Sequence, residues 1–218
     1  TIVVHDGSTA GGFPLLQSSL EVNLTATANY GIGTGAVDSI TTGDYNVGLG
    51  ENAGTAITTG SSNVAIGDNA LKLATTSGNN VAIGSSALES MVSAGTNNTA
   101  VGWKAMGSST GGTYNVAIGR ECLLSNTGTY NTAVGSFALQ DNTSNNNVAF
   151  GYQAGIANTT GYNHVAVGYQ ALLANTTGVQ NVGVGHSALK AVTTGGSNTS
   201  IGQSAGQSIT TGSNNVLI

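Results

Sequence analysis

The sequence predicts an all-β fold, a parallel β-roll solenoid of short coils, and three observations point to it. A segment built like Asn63-Val64-Ala65-Ile66-Gly67 returns at a fixed period from Asn29 to Ile218. Its closing glycines are Gly33, Gly50, Gly67, Gly84, Gly102, Gly119, Gly135, Gly151, Gly168, Gly185 and Gly202, evenly spaced to within a single position. Charged residues make up only 6% of the 218, against roughly a quarter in an ordinary soluble protein. Asn, Ser, Thr and Gly take over the polar surface, and these residues also turn a chain sharply and form side-chain ladders between stacked coils. The strict return of Val and Ile at fixed offsets separates the chain from a disordered low-complexity segment of similar composition.

The order of elements follows from where the repeat runs. Residues 1–28 stand outside it as an N-terminal module and cap, and residues 29–218 hold eleven complete coils and the start of a twelfth. With the closing glycine as position 0, Asn occupies position −4 in eleven of twelve units; His164 is the exception. The predicted structural ladder is Asn46, Asn63, Asn80, Asn98, Asn115, Asn131, Asn147, Asn181 and Asn198. Positions −3 to −1 read as a strand of period two. Val64 and Ile66 then share one face, taken as the core, and Asn63 and Ala65 share the other. An apolar pair at positions +3 and +4, as in Ala70-Leu71 and Ala87-Leu88, predicts a second short strand. Between the strands, Thr-Thr-Gly at 41–43, 58–60, 159–161, 176–178, 193–195 and 210–212 predicts turns whose glycine supplies the backbone conformation. Eleven coils stacked at about 4.8 Å give a rod of roughly 50 Å. Small residues at +3 make the interior narrow, so one chain buries little apolar area. That shortfall predicts self-association, and the small residues at −2 (Gly31, Gly48, Ala65 and their equivalents) place the axis of a homotrimer on their face.

Composition excludes several functions. A net charge of −5, with Lys72, Lys104, Arg120 and Lys190 as the only cations, does not read phosphates, so no nucleic-acid partner is expected. The sequence holds no apolar run long enough to span a bilayer, so no membrane insertion is expected, and Thr1 opens no secretory signal. The chain begins without Met and stops just before the glycine its repeat demands, which reads as part of a longer protein. Cys122 stands alone in a slot held elsewhere by Ala and reads as a buried filler. His5, Asp6 and Ser8 are residue types of a hydrolase triad, but neighbours on an extended strand point to opposite faces. The acids fall at scattered offsets and form no catalytic pair, and Gly31–Gly35 lacks the spacing of a phosphate loop. The expectation is a non-enzymatic chain with no cofactor and no metal. Asn142-Thr143-Ser144 and Asn158-Thr159-Thr160 match the glycosylation acceptor pattern, as chance predicts in a chain this rich in Asn and Thr.

Two sets of residues remain as candidate sites. Trp103, Tyr152 and Tyr169 occupy position +1, with His186 in the same slot, while Tyr45, Tyr114 and Tyr130 directly precede the ladder Asn. Equal offsets put each set on a common face of the rod, where aromatics beside Asn, Gln and Thr suit glycan binding. The alternative is that they cover turns or pack between subunits. His164 is the other candidate: at a threefold axis three copies converge on an ion. As a variant of the Asn ladder, it has only a structural role.

The units Asn-Val-Ala-Ile-Gly-x-x-Ala at 63–70 and 80–87, and at 115–122 with Cys122 last, resemble the head repeats of YadA-like trimeric adhesins. The resemblance covers the whole repeat region, 29–218, and implies a left-handed parallel β-roll assembled as a trimer, although the period here is longer than in the best-known heads. Residues 2–15, with Val4-His5-Asp6-Gly7-Ser8-Thr9-Ala10-Gly11-Gly12, look like a module found in tail fibres and receptor-binding proteins of tailed bacteriophages. Together these imply a homotrimeric tail-fibre segment on the virion, partnered by other tail or fibre proteins and by a host-surface glycan or outer-membrane receptor. The alternatives are the head of a bacterial trimeric adhesin at the cell surface and, from the Thr-Thr-Gly turns, an ice-binding β-solenoid.

Overall fold

A computed structural model describes residues 28–92 and 95–218. It is a β-solenoid. Among the described residues, twelve short strands, β1 (Tyr30–Ile32) to β12 (Val216–Leu217), lie in sequence order in one parallel sheet. The sequence repeat is the sheet register: Val64, Ala65 and Ile66 of β3 pair with Val81, Ala82 and Ile83 of the next coil. The phage-like module at 2–15 lies outside the described residues.

The period-two strand is present, but its faces are reversed from the sequence expectation. Ala65 is fully buried, whereas Val64 and Ile66 are only half-buried on the outside of the coil. Asn63 also points inward. The cross-section decides this inversion. A Cβ added at Gly48, at position −2, would lie 2.8 Å from the Ala53 carbonyl oxygen and 2.9 Å from Val37 Cγ1. In the eleven complete coils, positions −2 and +3/+4 therefore face each other so closely that only Gly, Ala or Ser occupies −2. The interior is a double row of small residues, mostly Ala, filled in most coils by a Leu or Met such as Leu71, Leu88, Met106 and Leu123; Gly54, Gly155 and Gly206 take that place in three others. Cys122 is one of the small fillers. Its thiol lies 3.2 Å from the Ala133 carbonyl, and burial pushes its pKa up to about 12.

The apolar pair at +3/+4 forms no second strand. That side of each coil is a tight turn in which positions +2 and +4 take left-handed backbone, for example Asn69 (φ 55°) and Leu71 (φ 51°). Left-handed backbone costs an L-residue about 1–2 kcal/mol. At +2 it is met mostly by Asn, Ser and Gln. At +4 it is held mostly by Leu, whose side chain is needed inside, and by Gly54, Gly155 and Gly206 in three coils. The turns stack through their own backbone bonds, such as Leu71 N–H to the Ala87 carbonyl at 2.9 Å.

Glycine has two separate uses. At position 0 the backbone lies at φ between +125° and +135°, and a Cβ on Gly67 would lie 2.6 Å from the Gly84 carbonyl carbon. The Thr-Thr-Gly glycines do not supply positive φ, contrary to the turn expectation. They permit close stacking, since a Cβ on Gly60 would collide with the carbonyl oxygen of Ser77 in the next coil.

Candidate functional site

Inside the roll, the asparagines form the predicted ladder. Asn63 donates its backbone N–H (3.1 Å) and its side-chain amide (3.0 Å) to Asn46 Oδ1, and the same amide reaches the Ser77 carbonyl at 2.8 Å. Asn63 Oδ1 then accepts from Asn80 N–H at 3.0 Å, passing the pattern on. Each asparagine thus joins its strand to the next coil and satisfies a buried turn carbonyl.

His164 reproduces this geometry with an imidazole. Its N–H donates to Asn147 Oδ1 at 3.0 Å, and its Nδ1 accepts from Asn181 N–H at 3.1 Å. Accepting at Nδ1 leaves the proton of the neutral ring on Nε2, which faces the Gly178 carbonyl as an asparagine amide would. Asn175 Nδ2 lies 2.9 Å from the same nitrogen; both groups are donors in this tautomer, so the approach is a close contact and not a hydrogen bond. The residue is only 3% exposed. Burial holds its pKa below the ordinary value, against the opposing effect of the Gly178 carbonyl. The ring lies within one roll and does not point to an outer axis, which corrects the axial-ion expectation. Among the described residues, no group of three or more His, Cys, Asp or Glu is placed to hold a metal ion.

A second ladder is absent from the sequence reading. Asn126, Asn142, Asn158 and Asn175 at position +7 are buried and linked amide to oxygen at 3.1, 2.7 and 2.9 Å. Cross-links from Asn131 to Asn126 and from Asn147 to Asn142 tie the two ladders together. Its signal is an Asn recurring at the coil period. That signal is masked because other coils carry Ile, Ala, Met, Ser or Val in the slot. Asn142 and Asn158 head the two glycosylation-like triplets, and burial removes both amides from a modifying enzyme.

The outer surface carries the other candidate residues. After the closing glycine turns the chain away from the sheet, position +1 points outward, and in-register stacking aligns these side chains. Tyr152 and Tyr169 stack at 5.5 Å, and Tyr169 and His186 at 5.0 Å, with planes within 16° of parallel. Phe137, from position +2, meets Tyr152 edge-on at 5.9 Å. The Arg120 guanidinium lies 4.9 Å from the Trp103 ring and 5.3 Å from the Phe137 ring. One line of ring and guanidinium contacts therefore runs from Trp103 to His186, about 24 Å at five coil spacings of about 4.8 Å. No family model, curated protein or solved structure matches this chain.

Stacking changes what these residues offer a ligand. Both faces of Tyr169 are covered by Tyr152 and His186, so it presents its edge and hydroxyl. Trp103, at the end of the line, borders an open recess with Arg120. Arg120 and Phe137 do not stand out in the sequence, since one is not aromatic and the other sits one residue off the slot. Tyr114 and Tyr130 form a separate exposed stack at 5.3 Å, with Tyr45 in the equivalent slot of an earlier coil. On the Thr-Thr-Gly turns, Thr58, Thr159 and Thr176 donate their hydroxyls to carbonyls of the next coil, which directs those protons into the roll rather than toward a surface ligand.

The remaining feature is the sheet's outer face. The side chains at −3 and −1 form two columns along all the coils, mostly Val and Ile. Away from the first and last coils, Ile118, Phe150 and Ile201 are the more exposed members. A strip about 10 Å wide and about 50 Å long covers on the order of 500 Å², near the top of the range for a monomer's largest apolar patch.

Proposed function

We propose that this chain is a structural and adhesive segment of a tailed-phage tail fibre that assembles as a homotrimer and attaches the virion to a host cell. The observation that carries the reading is the apolar strip on the outside of the sheet, continuous along position −1 and interrupted at −3 by Thr99, Thr132 and Thr199, while the inner face of the sheet carries Asn and small residues. β-Branched side chains at −3 and −1 suit a strand, but their apolar surface stays half-exposed in the single roll, whose interior lies on the other face. They suit burial against two further copies, and three charge-poor rods packed this way make a stiff fibre. The trimer axis accordingly moves from the small-residue face to the Val/Ile face. The aromatic line of Trp103, Tyr152, Tyr169 and His186 supplies repeated weak contacts to a host-surface glycan. Three copies of the rod multiply them by avidity. The neighbouring tail or fibre proteins and the host receptor are the partners this role requires, and the head of a bacterial trimeric adhesin would use the same strip.

Sedimentation equilibrium tests the assembly. The expected mass is three times that of the 21.4 kDa chain, and Ile66→Glu with Ile83→Glu is expected to return the monomer. A wild-type mass of one chain at micromolar concentration removes the trimeric fibre reading.

A further inference from the structure

The acidic chain has four lysines and arginines in its whole sequence, and two of them converge on one indole. Lys104 Nζ lies 4.8 Å from the Trp103 ring centroid, and the Arg120 guanidinium carbon lies 4.9 Å from it. Arg120 is also 5.3 Å from Phe137, so its planar head is held between two aromatic rings of neighbouring coils. Such contacts fix the guanidinium plane and leave its N–H edges pointing away from the rings.

Those edges are largely unused. Arg120 makes one long contact, Nη2 to Glu121 Oε1 at 3.4 Å, and its side chain is 58% exposed. Glu121 is meanwhile engaged by Gln140, whose amide donates to Oε2 at 2.8 Å. No ion pair to Lys104 is formed among the described residues. Trp103 and Arg120 line the open recess. A preorganised guanidinium beside an indole, with a flexible ammonium next to it, suits a ligand with an apolar ring face and an attached carboxylate. The guanidinium fork matches a carboxylate with two parallel hydrogen bonds, while the exposed part of the indole π-surface meets the C–H groups of a sugar ring.

We infer that Trp103, Arg120 and Lys104 form a subsite for a carboxylate-bearing sugar. The inference rests on the glycan-contact reading above and narrows it. It places the charged contact at the Trp103 end of the aromatic line and leaves neutral contacts for Tyr152, Tyr169 and His186. It also gives the few cations of this acidic surface a defined role.

Isothermal titration calorimetry of the full chain separates the possibilities. The probes are oligogalacturonate and oligosialate, the methyl ester of each, a neutral glucan oligomer and a sulfated oligosaccharide. The expected result is binding of at least one acidic probe, at least about tenfold weaker binding of its ester, and weakening as salt rises from about 0.05 to about 0.3 M. Arg120→Gln is expected to lose about tenfold or more, Lys104→Gln less, and Lys190→Gln nothing. Equal binding of acid and ester keeps the glycan reading and overturns the charged subsite. Binding of the sulfated probe alone overturns the carboxylate assignment. No binding to any probe overturns both readings, and acid binding unchanged by Trp103→Ala and Trp103→Tyr removes the indole from the site.

Discussion

Replacing Asn63 by Ala tests whether the inward-facing ladder holds the coils together. The side chain is fully buried and makes or receives four hydrogen bonds. Two buried backbone groups depend on it: Asn80 N–H, which donates to Asn63 Oδ1 at 3.0 Å, and the Ser77 carbonyl, which accepts from Asn63 Nδ2 at 2.8 Å. Asn80 Nδ2 loses one partner but keeps the Gly95 carbonyl at 2.9 Å, and Asn46 Oδ1 keeps the Asn63 backbone N–H. Leaving a buried group unsatisfied costs about 1–3 kcal/mol, so two orphans predict a loss of about 2–6 kcal/mol. Urea unfolding followed by far-UV circular dichroism at fixed chain concentration measures this loss. Hydrogen exchange at Asn80 N–H should accelerate before the rest of the sheet, because a solenoid couples mainly nearest coils. Asn63→His serves as the paired variant. His164 shows that an imidazole can accept at Nδ1 and donate at Nε2 in this slot, so His is expected to lose less than half of what Ala loses. A loss below about 1 kcal/mol for Ala, or a larger loss for His than for Ala, would refute the reasoning.

Two further predictions concern single residues. His164 is held neutral by burial, so its folded pKa lies below the ordinary 6.5. The unfolded chain takes up the proton first as pH falls, so stability is intact above about 6.5 and declines below it toward the folded value; thermal melts at about pH 8 and about pH 5 should show a drop that His164→Asn reduces. Gly67→Ala forces a non-glycine residue to φ +128° and drives a Cβ to 2.6 Å from the Gly84 backbone. Gly54→Ala takes the milder φ +64° and meets the ends of the Ile57 and Val37 side chains, at 2.9 and 3.1 Å. Gly67→Ala should therefore cost several kcal/mol more in the same unfolding assay, and equal losses would count against the stacking account.

Much of this protein is legible from residue spacing alone. In a solenoid each coil repeats its neighbour's environment, so the Asn slot, the closing glycine and the strand register all appear as fixed offsets in the chain. The slots at +1 and −5 can be aligned on paper for the same reason, and the Tyr152–Tyr169–His186 and Tyr114–Tyr130 stacks follow that alignment. Less legible are features that enter a column from a different offset or chemistry, such as Phe137 from +2 and Arg120 as a cation between rings. The +7 ladder is readable in principle, but four asparagines among other residue types do not stand out in an Asn-rich turn.

What the sequence by itself determined is the number of coils, their parallel in-register stacking and the hydrogen-bonding residue in each. Only the tertiary structure decided which face of the strand is inside. Alternation divides side chains into two sets without saying which is buried, and hydrophobicity alone selects Val and Ile. The opposing turn stands too close for them. The lack of room at position −2, where a Cβ on Gly48 would already crowd the Ala53 carbonyl and the Val37 side chain across the roll, turns Val64 and Ile66 outward and makes the apolar strip a surface.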